Sequence, residues 1–139
     1  MTAFVVDASA LLAWCFQDEW PNDRAKLMDR LVDGGMAAPA HLPLEITNIV
    51  WESERRRRIS EADALDFIDT VEDLGVRIDS ETPRRAWRDI YPLARAEKLT
   101  TYDAAYLELA MRIKATLVSK DTDLVRAAKR RGVPTLVPS

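Results

Sequence analysis

The sequence predicts an α/β fold, a small, mainly parallel β-sheet flanked by helices on both faces. Three observations carry that prediction. Short apolar segments of strand type alternate with stretches of helical periodicity from end to end. No low-complexity segment, repeat or long linker interrupts the alternation. The 139 residues, 47% of them apolar with four Gly, suffice for one compact domain, 1–139, with a core of its own.

The first strand covers residues 3–7, where Ala3 to Val6 run apolar into Asp7. A short helix follows to about Cys15. A second is expected from Pro21 to Val32, with Ala25, Leu27, Met28, Leu31 and Val32 as its apolar stripe, and Asp33-Gly34-Gly35 stops it. A brief strand, Met36–Ala38, precedes a third helix beginning at Pro43, which suits a first turn; Leu44, Thr47, Asn48 and Trp51 share one of its faces. Ser60 and Asp63 have the spacing of a capping box, and Ala62, Leu65, Phe67, Ile68, Val71 and Leu74 are the apolar positions of the helix that follows, ending at Gly75. After a strand at Val76–Ile78, Thr82 and Pro83 read as the N-cap and first turn of a helix reaching about Lys98. A helix from about Tyr102 to Lys114, a strand at Ala115–Val118, a helix from about Asp121 to Arg131 and a strand at Thr135–Val137 complete the chain.

Composition narrows the chemistry. Cys15 is the only cysteine, so no intrachain disulfide and no cysteine-rich metal cluster can form, and a reducing compartment suits the chain. His41 is the only histidine, which puts poly-histidine metal sites out of reach. Carboxylates must therefore carry any metal chemistry. The opening MTAFVV lacks a basic segment leading into an apolar stretch, and no window approaches the roughly 20 apolar residues that span a bilayer. A soluble, cytoplasmic protein is expected. The net charge of -3 gives no global attraction to nucleic acid, but 15 of the 20 basic residues are Arg and they cluster, most tightly at Arg55-Arg56-Arg57-Arg58.

Two of the strands end on acids. Ligands of open parallel sheets bind outside the carboxyl ends of the strands, which is where Asp7 and Asp121 belong. Each also reads as a helix N-cap, and singly neither proves a site. Asp103 shares a helical face with Tyr106, Leu107 and Ala110, an apolar face on which a carboxylate needs a partner or a cation; the alternative is a capping box with Thr100. Glu45 lies early in the third helix, facing the same way as Asn48, and could equally be a first-turn acid complementing the helix dipole.

Taken jointly, VVDASALLAW at the N-terminus, LPLEITNIVWE around Glu45, LTTYDAAYLELA around Asp103 and LVSKDTDLVRAA around Asp121 give the chain a resemblance to the PIN-domain ribonucleases, and within them to the VapC-type toxins of toxin-antitoxin pairs. The resemblance covers essentially the whole chain, and the YDAAYLELA block is its most specific part. It implies a single PIN-like domain. It also implies an acid quartet for Mg²⁺, with Mn²⁺ as a substitute, matched here by Asp7, Glu45, Asp103 and Asp121, with Ser9 and Asp123 as secondary members. Ser119 stands where the family usually has Thr, a departure that keeps the hydroxyl. The activity implied is metal-dependent hydrolysis of RNA phosphodiester bonds by an endoribonuclease acting as a toxin, with a VapB-type antitoxin as partner and a homodimer as the common assembly. In that mechanism Asp7, Asp103 and Asp121 hold the main metal, and Glu45 helps orient the attacking water or a second ion.

The remaining features read more plainly. Arg55 to Arg58 close a helix, where cations suit the dipole, but four in a row exceed that need and suggest contact with RNA or an acidic partner. Arg84, Arg85 and Arg88 lie near a helix start, the wrong end for the dipole, whereas Arg126, Lys129, Arg130 and Arg131 again suit a helix end. Ser9 and Thr101 read as capping hydroxyls or as partners of the acids. Trp14, Phe16, Trp20 and Trp51 read as core candidates, with some aromatic surface left for a partner. Among rival enzymes, a haloacid-dehalogenase-like phosphatase needs a second Asp where Ser9 stands, a P-loop NTPase needs a Gly-rich loop that is missing, and a receiver module needs an acid pair beside the first strand. The rival of another class is a PIN-like module that binds RNA or protein without cutting.

Overall fold

In chain order the elements are β1 (Phe4–Val6), α1 (Ala8–Leu12), α2 (Arg24–Gly34), β2 (Met36–Ala38), α3 (Leu42–Arg55), α4 (Glu61–Asp73), β3 (Arg77–Ile78), α5 (Thr82–Arg85), a π-helical turn (Ala86–Ile90), α6 (Tyr91–Glu97), α7 (Thr101–Ile113), β4 (Thr116–Val118), α8 (Thr122–Arg130) and β5 (Thr135–Leu136). The structure is a computed structural model and describes residues 2–13 and 24–138. The expectations for Trp14, Cys15, Phe16, Trp20 and Pro21 lie outside the described residues.

The strands pair in the order β3-β2-β1-β4-β5, and every pairing is parallel. β1 sits at the centre, with Phe4 opposite both Met36 and Thr116 and Val6 opposite Val118. All three residues of β1 and of β2 are buried. Since successive side chains point to opposite faces, helices must cover the sheet on both sides. α7 packs against β1 and β4, and its buried residues run unbroken from Ala104 to Ala110. The approach of α2 to β1 is close enough to require glycine, because a Cβ on Gly34 would lie 2.5 Å from the Phe4 ring.

The sheet topology decides where a site can form. The chain builds outward from β1 through β2 to β3, then crosses to the other side of β1 for β4 and β5. The switch point therefore lies between the carboxyl ends of β1 and β4, where the following loops part and leave a crevice.

Several expectations are corrected. The helix read from Thr82 to Lys98 is broken by the π turn at 86–90: Pro92 has no N–H for the carbonyl four residues earlier, and Tyr91 N–H instead reaches back five residues to Ala86. Thr82 is the first residue of α5 rather than its cap, and its hydroxyl accepts the Ala40 N–H while bonding Asp79. Trp51 is not core. Leu44 and Trp51 are 76% and 52% exposed, and the face of α3 that buries is instead Leu42, Ile46, Val50 and Ser53. In α4, Ala64 and Phe67 face inward while Leu65 is exposed. The Ser60 and Asp63 capping box forms as read, and Gly75 takes the left-handed conformation after α4.

Candidate functional site

Asp7 follows β1 directly and caps α1, its Oδ1 accepting Ala10 N–H at 2.9 Å. Asp121 follows β4 in the same way and caps α8, accepting Leu124 N–H at 2.9 Å. Asp103 lies in the first turn of α7, whose N-cap is Thr100. Glu45 lies in the first turn of α3. The local capping readings thus hold for both strand-end acids, and capping does not compete with a site. A residue at a strand-to-helix junction has its carboxylate at the carboxyl end of the sheet already.

All four acids line one cleft of about 360 Å³, together with Ser9, Leu12, Ile49, Ser53, Tyr106 and Arg58. A larger cavity of about 570 Å³ lies elsewhere, with Glu108 and Arg112 in its wall already bonded to each other. It contains none of the four acids. Asp123 is exposed and outside the acid cleft.

Asp7 is 4% exposed and held by two hydroxyls. Ser9 donates to its Oδ1 at 2.7 Å and accepts Lys120 N–H at 2.9 Å; Ser119 donates to its Oδ2 at 2.5 Å and accepts Asp121 N–H at 2.9 Å. Each serine thus bridges the end of β1 to the loop after β4. Ser9, read as a secondary site member, spends its hydroxyl on this bridge. Burial pushes the Asp7 carboxyl above its ordinary value despite the hydroxyls and the Ala10 N–H, and the neighbouring charge of Asp121 adds to the rise.

Glu45 is held by groups that the sequence left unassigned. The Tyr106 hydroxyl donates to its Oε1 at 2.7 Å, and His41 Nε2 stands 3.1 Å from the same oxygen. Burial raises the Glu45 carboxyl, but His41 and Tyr106 outweigh it and leave the group below its ordinary value. The Tyr106 phenol is pushed up by its own burial and by the Glu45 charge, so it remains a donor. The His41 ring meets the Tyr106 ring edge-on at 5.2 Å and lies 5.6 Å from that of Tyr102.

Asp103 carries the strain of the cluster. Burial, then the charges of Asp121, Asp7 and Glu45, raise its carboxyl to about 6, and Thr100 only partly offsets them. An all-oxygen set of mutually repelling carboxylates suits a hard divalent cation. Among the described residues no three His, Cys, Asp or Glu side chains stand together in ligating positions.

Acids at the switch point of a parallel sheet, on this order of strands and helices, define a PIN domain: the family model of that name matches residues 4–130, and the chain belongs to the family. Among its relatives is Ribonuclease VapC3 of Pyrobaculum aerophilum, 28% identical over 124 residues that cover 86% of this chain and 90% of that protein. The crystal structure of PAE2754 from Pyrobaculum aerophilum matches with a TM-score of 0.72 and 24% identity, over 96% of this chain and 89% of that one. VapBC2 from Rickettsia felis, crystallised with a DNA fragment from their promoter, matches with a TM-score of 0.70 and 11% identity, over 99% and 100%.

Proposed function

We propose that this chain is a metal-dependent endoribonuclease, a single PIN domain over residues 1–139, acting as the toxin of a toxin-antitoxin pair. The observation that carries the reading is the meeting of Asp7, Glu45, Asp103 and Asp121 in one cleft at the switch point, with Asp103 raised to about 6 by burial and then by its acidic neighbours. Membership of the PIN family and the likeness to Ribonuclease VapC3 support it.

Asp7, Asp103 and Asp121 would hold a Mg²⁺ or Mn²⁺ ion directly or through water, supplying a more acidic water and charge neutralisation at the scissile phosphate. Glu45, fixed by Tyr106 and carrying its charge at neutral pH, orients the attacking water. The water oxygen forms a bond to phosphorus and releases one proton to solvent, the bond to the leaving nucleotide oxygen breaks, and that oxygen takes up a proton from solvent. Ser9 and Ser119 hold Asp7 in place through their hydroxyls.

The partners follow from the same reading. RNA is the substrate, and a VapB-type antitoxin is the regulator, supported by the likeness to the Rickettsia felis VapBC2 complex and by the exposed Leu44 and Trp51 face of α3. A homodimer and a cytoplasmic location belong to the proposal as well. Among the described residues no helix is long and apolar enough to cross a membrane.

The test is cleavage of a mixed structured-RNA pool by the purified chain in Mg²⁺, Mn²⁺ or EDTA, beside Asp7→Asn. Cutting that needs the ion and vanishes in the variant is expected. Ion-independent cutting, equal in the variant, removes the mechanism. No cutting, with no Mn²⁺ binding by calorimetry, points to a non-catalytic binding module.

A further inference from the structure

A cleft lined by four carboxylates repels the polyanion it is proposed to cut, and a bound divalent ion offsets only part of that charge. Some fixed cation at the mouth must hold the RNA backbone. The run Arg55 to Arg58 supplies four candidates in sequence, and the structure separates them.

Arg55 bonds Glu52 at 2.9 Å, and its guanidinium lies 5.9 Å from the centre of the Trp51 ring, on the outer face of α3. Arg56 closes the helix as its C-cap. Arg57 adopts φ 58°, the left-handed turn that ends a helix, and its N–H bonds Glu54 O at 2.9 Å. That turn reverses the chain, and Arg58 N–H bonds back to Ser53 O at 2.8 Å. Ser53 is buried and itself lines the acid cleft, so a backbone hydrogen bond anchors Arg58 to the cleft wall. Of the four, Arg58 alone lines the cleft with the acids.

We propose that Arg58 is a substrate-binding residue: it takes a backbone phosphate of single-stranded RNA beside the scissile one, held at the lip of the acid cleft by the turn at Arg57. Arginine suits this role, since its planar fork meets two phosphate oxygens at once and its charge is never lost. Helix-end cations that merely complement a dipole need not enter a cleft, and Arg55 does not. The proposal rests on the ribonuclease reading for its substrate, but its test reads binding rather than cleavage.

The experiment is fluorescence anisotropy of a labelled single-stranded RNA against the purified full chain, with Ca²⁺ in place of Mg²⁺ and a series of KCl concentrations. Wild type, Arg58→Ala, Arg58→Lys and Arg56→Ala are compared, each with a melting curve to establish folding. Arg58→Ala is expected to weaken binding about tenfold and to lower the salt slope by about 0.7, one phosphate contact on a single strand. Arg58→Lys should restore the slope and part of the affinity, and Arg56→Ala should match wild type. Where cleavage is present, KM should rise in Arg58→Ala with kcat nearly kept. Equal affinity and slope in Arg58→Ala and wild type, or an equal loss in Arg56→Ala, would overturn the assignment; so would unchanged RNA binding with altered Mn²⁺ affinity, which would make Arg58 a counter-ion of the acids. A wild type that binds RNA through Arg58 but never cuts overturns the ribonuclease reading alone, and one that binds no RNA overturns both.

Discussion

The fully buried hydroxyl of Ser119 donates to Asp7 Oδ2 at 2.5 Å while accepting the Asp121 N–H at 2.9 Å, so one small group couples the acid after β1 to the acid after β4. The central pair of strands is short, three residues each, and the coupling fixes the relative position of their ends where the backbone ladder stops. Ser9 repeats the device from the other side, between Asp7 Oδ1 and Lys120 N–H.

Removing that hydroxyl tests the coupling. Ser119→Ala leaves a buried carboxylate oxygen and a backbone N–H short of a partner, which costs about 1–3 kcal/mol of stability. Losing the group that orients a ligand typically lowers metal affinity or activity by roughly 10–100-fold. Urea midpoints together with Mn²⁺ calorimetry check both effects. Ser119→Thr keeps the hydroxyl and should recover most of the metal affinity lost in the alanine variant; equal loss in both would show that space, not the hydrogen bond, matters there.

Asp103 is costly to the protein in the absence of metal. Its carboxyl is raised from 3.8 to about 6 by burial and by Asp121, Asp7 and Glu45. The folded state therefore holds the proton more tightly than the unfolded chain does, and this group's favourable contribution, complete below about pH 3.8, is lost as pH rises through about 6. At neutral pH Asp103→Asn should stabilise the metal-free protein by about 1 kcal/mol, allowing for solvent screening of a half-exposed group. It should also flatten the fall of Tm between pH 4 and 7, and Mg²⁺ should raise the Tm of wild type more than that of the variant. A variant no more stable than wild type in EDTA would remove the claim of mutual repulsion.

The fold was legible because its signals are local. Strand-end acids, the Ser60 capping box and the glycine after α4 each depend on a few neighbouring residues, and each stands where the pattern put it. The four acids could be matched singly, yet their convergence depends on the β1 to β4 crossover, which no local pattern contains. The third helix shows the limit. Leu44 and Trp51 share a face by spacing, but which face turns inward is set by α1 and α4 packing on the other side of α3. The partners of Glu45 were hidden for a related reason: Tyr106 lies 61 residues away and reads from sequence as an ordinary core position on α7. Pro92 does carry a local signal of the π turn, since a proline inside a helical pattern marks a break.

Tyr106→Phe isolates the hold on Glu45. The ring stays, so packing is preserved, and loss of the single hydrogen bond should cost about 0.5–1.5 kcal/mol. With that donor gone, the Glu45 carboxyl rises, because burial is then opposed chiefly by His41. If Glu45 must be ionised to orient the water, the acid limb of kcat/KM against pH moves to higher pH in the variant. An unmoved limb with reduced kcat would assign the effect to geometry rather than charge.

A second charged cluster, remote from the acid cleft, bears on stability alone. Arg112 on α7 donates to Glu108 at 2.9 Å and to Asp79 at 2.6 Å, tying α7 to the end of β3, with all three side chains less than a fifth exposed. Burial raises the Asp79 carboxyl, but Arg112, Thr82 and the Glu81 N–H more than offset it and leave the group below 3.8. Its contribution to stability is therefore present above pH 3.8 and is lost as pH falls through the lower folded value. Arg112→Met keeps most of the apolar stem and removes the main counter-charge of two partly buried acids, a change expected to cost about 3 kcal/mol at neutral pH. In the variant, burial acts on Asp79 without its main counter-charge, so protonation relieves the cost and the deficit against wild type should shrink on acidification toward pH 4. Urea midpoints of both proteins across that range check the sign, and Mn²⁺ affinity should stay within twofold of wild type, because none of these residues lines the cleft of the four acids. A deficit that stays constant on acidification would mean that Arg112 acts through packing of its stem rather than through its charge.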